Sequence, residues 1–129
     1  MTNAVFPRWL VATGASASSI VRLRQEVSGL PASYLRCLSV GNGGEVGLSV
    51  SPYNFCLDSA ESALDYWLSG TYTKQGVFIF GGNGGGELLA FELGLIGERP
   101  VVCFDPISPD DSTELVAPNF DELLKLCEE

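Results

Sequence analysis

The run Gly81-Gly82-Asn83-Gly84-Gly85-Gly86 is the first place in this chain where residue type and spacing suggest chemistry. Glycine backbones can turn successive N–H groups toward one anion, which is how phosphate-binding loops work. A P-loop, however, follows its last glycine with Lys and then Ser or Thr, which neutralise phosphate and hold magnesium. Here Glu87 and Leu88 occupy those places, and a carboxylate would repel the ligand. The dinucleotide spacing G-x-G-x-x-G is also missing from the run, and the residues after it alternate like a strand instead of opening a helix. The expectation is a hairpin loop whose glycines adopt positive φ.

The second candidate is acidic. Asp105, Asp110 and Asp111 lie close together in a proline-bearing segment, where paired carboxylates could serve as acid and base. With no histidine in the chain, Ser-His-Asp and Cys-His nucleophiles are excluded, and so is the commonest general base. The acids lack the spacing and central glycine of an EF-hand loop. Cys37, Cys56, Cys103 and Cys127 form no C-x-x-C pair, so neither a zinc site nor any other cofactor or metal site is expected. Three of the four fall within apolar patterns, where cysteine behaves as a small buried hydrophobe; reduced thiols are expected rather than two disulfides. No catalytic residue is predicted, and the protein is read as a binding domain, not an enzyme.

Charge points the same way. Sixteen acidic against seven basic residues give a formal net charge of −9 among 129 residues. Such a surface repels nucleic-acid phosphates and anionic membranes and attracts basic proteins. The imbalance is uneven: residues 1–44 hold four arginines against Glu26, whereas residues 105–129 hold eight acids against Lys125 alone. Within that C-terminal stretch, Asp105, Asp110, Asp111 and Glu114 share a segment bounded by Pro106, Pro109 and Pro118. Proline lowers the ordering cost when a partner holds a loop, so these four are the candidate partner-binding residues; the alternative is a solvated edge with helix-capping acids. The longest apolar runs, Val77 to Phe80 and Leu88 to Phe91, are far below the roughly 20 residues needed to cross a bilayer. The stretch Trp9 to Ala12 is likewise too short for a signal-peptide core, so a cytoplasmic protein is expected.

These candidates must be positioned by a core, and the composition supplies one: 46% hydrophobic and 18% charged residues suit an ordered domain, here read as one domain over residues 1–129. Ile20, Leu23, Val27 and Leu30 recur at helical spacing, predicting a helix over 18–28 stopped by Gly29. Pro31 opens a second, with Tyr34, Leu35 and Leu38 inward and Gly41 at its end. Val46, Leu48 and Val50 alternate as in a half-buried strand. Asp58 and Glu61 read as a capping box for a third helix with an apolar stripe of Ala60, Leu64, Trp67 and Leu68. Val77–Phe80, Glu87–Leu93 and Val101–Phe104 read as a meander of strands. Asn119 and Glu122 cap a last helix that buries Phe120, Leu123, Leu124 and Cys127. Trp9-Leu10-Val11 fits either a short strand or packed coil. Strands grouped centrally with helices at both ends indicate an α+β fold.

Several of these segments together resemble one family. Leu30-Pro31 with Tyr34, Leu35 and Leu38, then Asn42-Gly43-Gly44, is similar to the opening of the SUKH superfamily, the domain of the yeast Smi/Knr cell-wall regulators. Val77 through Phe91, including the glycine run, resembles its central hairpin; Pro100 to Asp105 resembles the next strand, and Val116 to Leu124 the closing helix. The resemblance spans about residues 18–128. It departs at Asn83, where the family often has aspartate, and the first 17 residues have no counterpart. It implies a curved antiparallel sheet with packed helices, no catalytic residues, and, in bacteria, frequent service as the immunity protein that binds and occludes a toxin domain, often a basic nuclease. The resemblance also implies an alternative, a regulatory or scaffolding role like that of the yeast relatives. A small-molecule binder using the glycine hairpin and nearby acids is a third reading.

Overall fold

The computed structural model describes residues 7–11, 13–70, 76–94 and 98–128. Among them the chain order is α1 (Ala17–Glu26), α2 (Ala32–Val40), β1 (Gly44–Leu48), β2 (Asn54–Leu57), α3 (Ala60–Ser69), β3 (Val77–Gly82), β4 (Leu88–Glu92), β5 (Val101–Phe104), α4 (Pro109–Ser112), β6 (Glu114–Ala117), α5 (Phe120–Lys125) and β7 (Cys127–Glu128). The strands form one antiparallel sheet in the order β6-β5-β4-β3-β2-β1-β7. The sheet curls into a half-barrel with helices against it, so the fold is α+β with a curved antiparallel sheet, as the sequence predicts. No helix among the described residues is long and apolar enough to cross a membrane.

The two leading helices form where periodicity places them. Ser16 caps α1 by accepting the Ser19 N–H, and Leu23 and the following Val27 are buried. Gly29 then takes φ +80°, which lets the chain turn into Pro31 at the N-cap of α2. Gly41 ends α2 for a different reason: its φ is −145°, but a Cβ there would overlap the Val11 carbonyl and lie 2.6 Å from Leu10 Cβ. The N-terminal segment occupies that space as packed coil with a single antiparallel bridge, Leu10 to Gly44, and Trp9 lies edge-on to Phe55 at 5.5 Å.

One face of the sheet carries the main core. Phe78 and Phe80 from β3, Phe91 from β4 and Phe120 from α5 surround Tyr34 of α2 edge-to-face, with ring centroids 5.2–6.1 Å from it, and Phe80 stacks on Phe91 at 4.1 Å. Such pairs add about 1 kcal/mol each beyond the burial of their area. The alternate residues Val77, Ile79, Ala90, Val102 and Phe104 form a second buried cluster, with Tyr66 and Leu88 packed on it. Strands β3 to β5 are thus buried on both faces, which explains their near-continuous apolar sequence.

The third helix departs from expectation. Asp58 is not its cap: the Asp58 N–H still donates to Phe80 O across the sheet, so the first free extended residue is Ser59, whose Oγ accepts the Ser62 N–H. Glu61 accepts instead from Ser19 Oγ (2.6 Å) and Asn42 Nδ2 (2.8 Å), tying α3 to α1 and to the turn before β1. The buried face is Ala60, Ala63 and Leu64, while Trp67 and Leu68 stay 37% and 50% exposed, Trp67 reaching only the edge of Phe78. At α5 half of the expected box forms: Asn119 accepts the Glu122 N–H, but Glu122 pairs with Lys125. Strands β2, β6 and β7 were not expected, because none of them offers more than two buried residues or an apolar run as long as Val77–Phe80, and β7 takes Cys127, which the spacing placed on the last helix.

A candidate partner-binding corner

The glycine run forms a hairpin. Gly81 and Gly82 belong to β3, beyond a register shift after Ile79, and the turn spans Asn83 to Glu87. Asn83 Oδ1 accepts the N–H groups of Gly85 (2.8 Å) and Glu87 (3.1 Å), and Asn83 Nδ2 donates to Glu87 Oε1. Two of the backbone donors that an anion would need are therefore committed to Asn83, and Glu87 sits beside them. An aspartate here would accept the same two bonds but could not donate to Glu87, which makes asparagine the matching partner of that carboxylate.

The most strongly perturbed ionisable groups follow burial. Desolvation pushes Asp58 up to about 6 and raises Tyr34 far above the usual phenol range, with the Asp58 charge adding to the latter. Tyr34 is fully buried within its ring of phenylalanines, where no substrate reaches it. Burial likewise pushes Cys37 up to about 11 and Cys103 up to about 12, the latter helped by Glu87, and Cys56 is raised by burial and Glu45. None of the four cysteines is in a disulfide, and the raised thiol pKa of Cys37, Cys56 and Cys103 opposes the thiolate that nucleophilic or metal chemistry needs. Among the described residues no three His, Cys, Asp or Glu side chains are placed to hold a metal.

Residues 105–117 form one corner at the end of the sheet. β5 ends at the buried Phe104, and the chain then folds on itself: the Asp105 N–H donates to Ser112 Oγ (2.7 Å), Ser112 Oγ donates to Ser108 O, and Thr113 Oγ1 donates to Pro109 O. Asp105 Oδ1 accepts the Ile107 N–H at 2.9 Å. The loop is thus pre-ordered by its own hydrogen bonds as well as by proline. Asp110 and Asp111 are exposed on the single turn of α4, and exposed Glu114 opens β6, opposite Cys103. Of the four predicted acids, three face solvent together, while half-buried Asp105 holds the loop.

Two apolar residues of this corner escaped the sequence reading. Ile107 is 91% and Leu115 67% exposed, although Val116 and Ala117 beside them turn inward. The Pro106-Ile107-Ser108-Pro109 spacing was the available signal, since flanking prolines leave that isoleucine no regular element in which to bury. β6 lies at one end of the strand order, and among the described residues nothing pairs with its outer side.

A search of curated proteins finds no match to the chain. The model of the SMI1 / KNR4 family (SUKH-1) matches residues 14–126, from the end of the N-terminal coil through α5, and so covers the hairpin, the acidic corner and the helices that pack on the sheet. The chain belongs to the SMI1 / KNR4 family (SUKH-1).

Proposed function

We propose that this protein is a non-catalytic binding domain of the immunity type, which neutralises a basic toxin domain by covering its active surface. The carrying observation is the corner of residues 105–117: four carboxylates with no basic residue, a loop pre-ordered by internal hydrogen bonds, and the bare side chains of Ile107 and Leu115. Apolar contact in the middle with opposite charge around it is what protein interfaces use, and complementary fields raise association rates toward a cationic partner. Pre-ordering reduces the entropy lost on binding. The raised cysteine pKa values and the absence of histidine from the sequence support occlusion over catalysis.

The test is co-expression with any toxin-like protein encoded beside the gene. The expected result is rescued growth and a complex that co-elutes at stoichiometric ratio. Replacing Asp110 and Asp111 by Ser and Glu114 by Gln should slow association about tenfold and flatten its salt dependence at unchanged Tm. No rescue and no complex would refute the immunity reading; parental kinetics in the triple variant would move the interface to another face.

A further inference from the structure

We propose that the outer edge of β6 is a strand-addition site, which an extended segment of alternating basic and apolar residues joins as an eighth strand. The inference rests on the reading of the chain as a partner-binding domain and names how the partner is held. An edge strand presents unpaired N–H and C=O groups that template another strand, and proteins usually blunt such edges with short length, charge or proline. β6 has four residues, opens on Glu114 and is followed by Pro118, yet it carries Leu115 at 67% exposure, with Ile107 at 91% in the loop that leads to α4. An exposed leucine on an edge that no described residue pairs with invites the pairing that charge elsewhere discourages. The opposite edge, β7, has only two residues and no exposed large apolar side chain.

Charge selects the occupant. A second copy of this chain would bring its own four carboxylates against Asp105, Asp110, Asp111 and Glu114, with no base in residues 105–117 to offset them. Like charges brought together at an interface oppose pairing, so self-association through β6 is disfavoured. A strand with lysine or arginine at every second position fits. Because side chains alternate across a strand, its apolar residues would lie on the face of Leu115, which is in register with Val102, and its basic residues on the face of Glu114, next to the acids of α4.

Amide hydrogen exchange on the full chain tests this, using a synthetic seven-residue peptide of alternating Val and Lys as probe. Two control peptides accompany it, one with Glu in place of Lys and one N-methylated on alternate backbone nitrogens. The expected result is exchange at least tenfold slower for the outward-facing amides of residues 114–117 with the first peptide alone, and binding weakened about tenfold by Leu115→Ser. Protection that survives N-methylation would show mere electrostatic adsorption. Equal protection with the Glu peptide, or none with either, would also overturn the proposal, as would concentration-dependent protection without peptide, which indicates self-pairing. The same measurement with a co-expressed toxin candidate separates the two readings. A toxin that binds while β6 stays unprotected sinks strand addition alone; a toxin that does not bind, with the Val-Lys peptide still docking, sinks the immunity reading alone.

Discussion

Gly81→Ala should be among the most damaging single-methyl additions in this protein, and the reason lies in the sheet, not in the turn. Gly81 pairs with Leu57 of β2 and Leu89 of β4, just beyond the register shift in β3. A Cβ at that position would overlap the Cys56 carbonyl oxygen and sit 2.9 Å from Phe55 Cε1. The carbonyl is backbone of a strand joined to β3 by two registered pairs, Cys56 with Gly82 and Leu57 with Gly81, so it cannot step aside without opening that ladder. Overpacking against such a neighbour costs about 1–3 kcal/mol or more, and the entropy that alanine removes from the unfolded chain returns only about 0.5–1. Because the obstructing atom is backbone, the upper end of that cost applies and the net expectation is a loss of about 2 kcal/mol, a large part of a domain's stability. Gly85 is the control: its φ is not positive and its nearest neighbours are Asn83 side-chain atoms at 3.6 Å or more, so Gly85→Ala should fall within about 0.5 kcal/mol of the parent. Gly86, at φ +109° in open space, should lie between, with backbone strain alone costing about 1–2 kcal/mol. Urea unfolding followed by tryptophan fluorescence measures all three. If Gly85→Ala proves as harmful as Gly81→Ala, or Gly81→Ala is silent, the close approach of β2 and β3 is not what fixes this glycine.

Tyr34→Phe should stabilise the protein by about 1 kcal/mol, because the Tyr34 hydroxyl is buried with no hydrogen-bond partner while its ring contacts survive the change. A loss above about 1 kcal/mol in the same urea titration would show that the hydroxyl is satisfied. Asp58→Asn should stabilise the fold only at pH values above about 3.8, where the carboxyl of the unfolded parent ionises. The folded pKa of about 6 lies above the ordinary 3.8, so the parent's stability is undiminished below pH 3.8 and falls as pH rises toward 6. After discounting for partial exposure, the gap between variant and parent should grow from nil to about 1–2 kcal/mol across that window, read as Tm against pH. A gap that is constant with pH would mean that Asp58 is not held in its neutral form by the fold.

Much of the architecture was legible because long amphipathic patterns are local. The sequence alone determined that α1, α2 and α5 form where apolar residues recur every three or four positions, that three apolar segments make an antiparallel meander, and that the glycine run joins two of them. It also carried the family likeness and the acidic C-terminal segment. Only the tertiary structure decided the rest. β2 and β6 offer two or fewer inward residues each, too few for a pattern, and exist because neighbouring strands supply their hydrogen-bond partners. The start of α3 moved to Ser59 because Asp58 remains tied to Phe80 across the sheet, and Glu61 was drawn to Ser19 and Asn42, residues distant in sequence. The same holds for the candidate site. Composition marked Asp110, Asp111 and Glu114, but that Asp105 serves the loop, and that Ile107 and Leu115 stay bare beside a strand edge that no described residue pairs with, depends on which surfaces the packed core leaves uncovered. Hydrophobicity records a residue's preference for burial, and only the finished packing determines whether room is left for it.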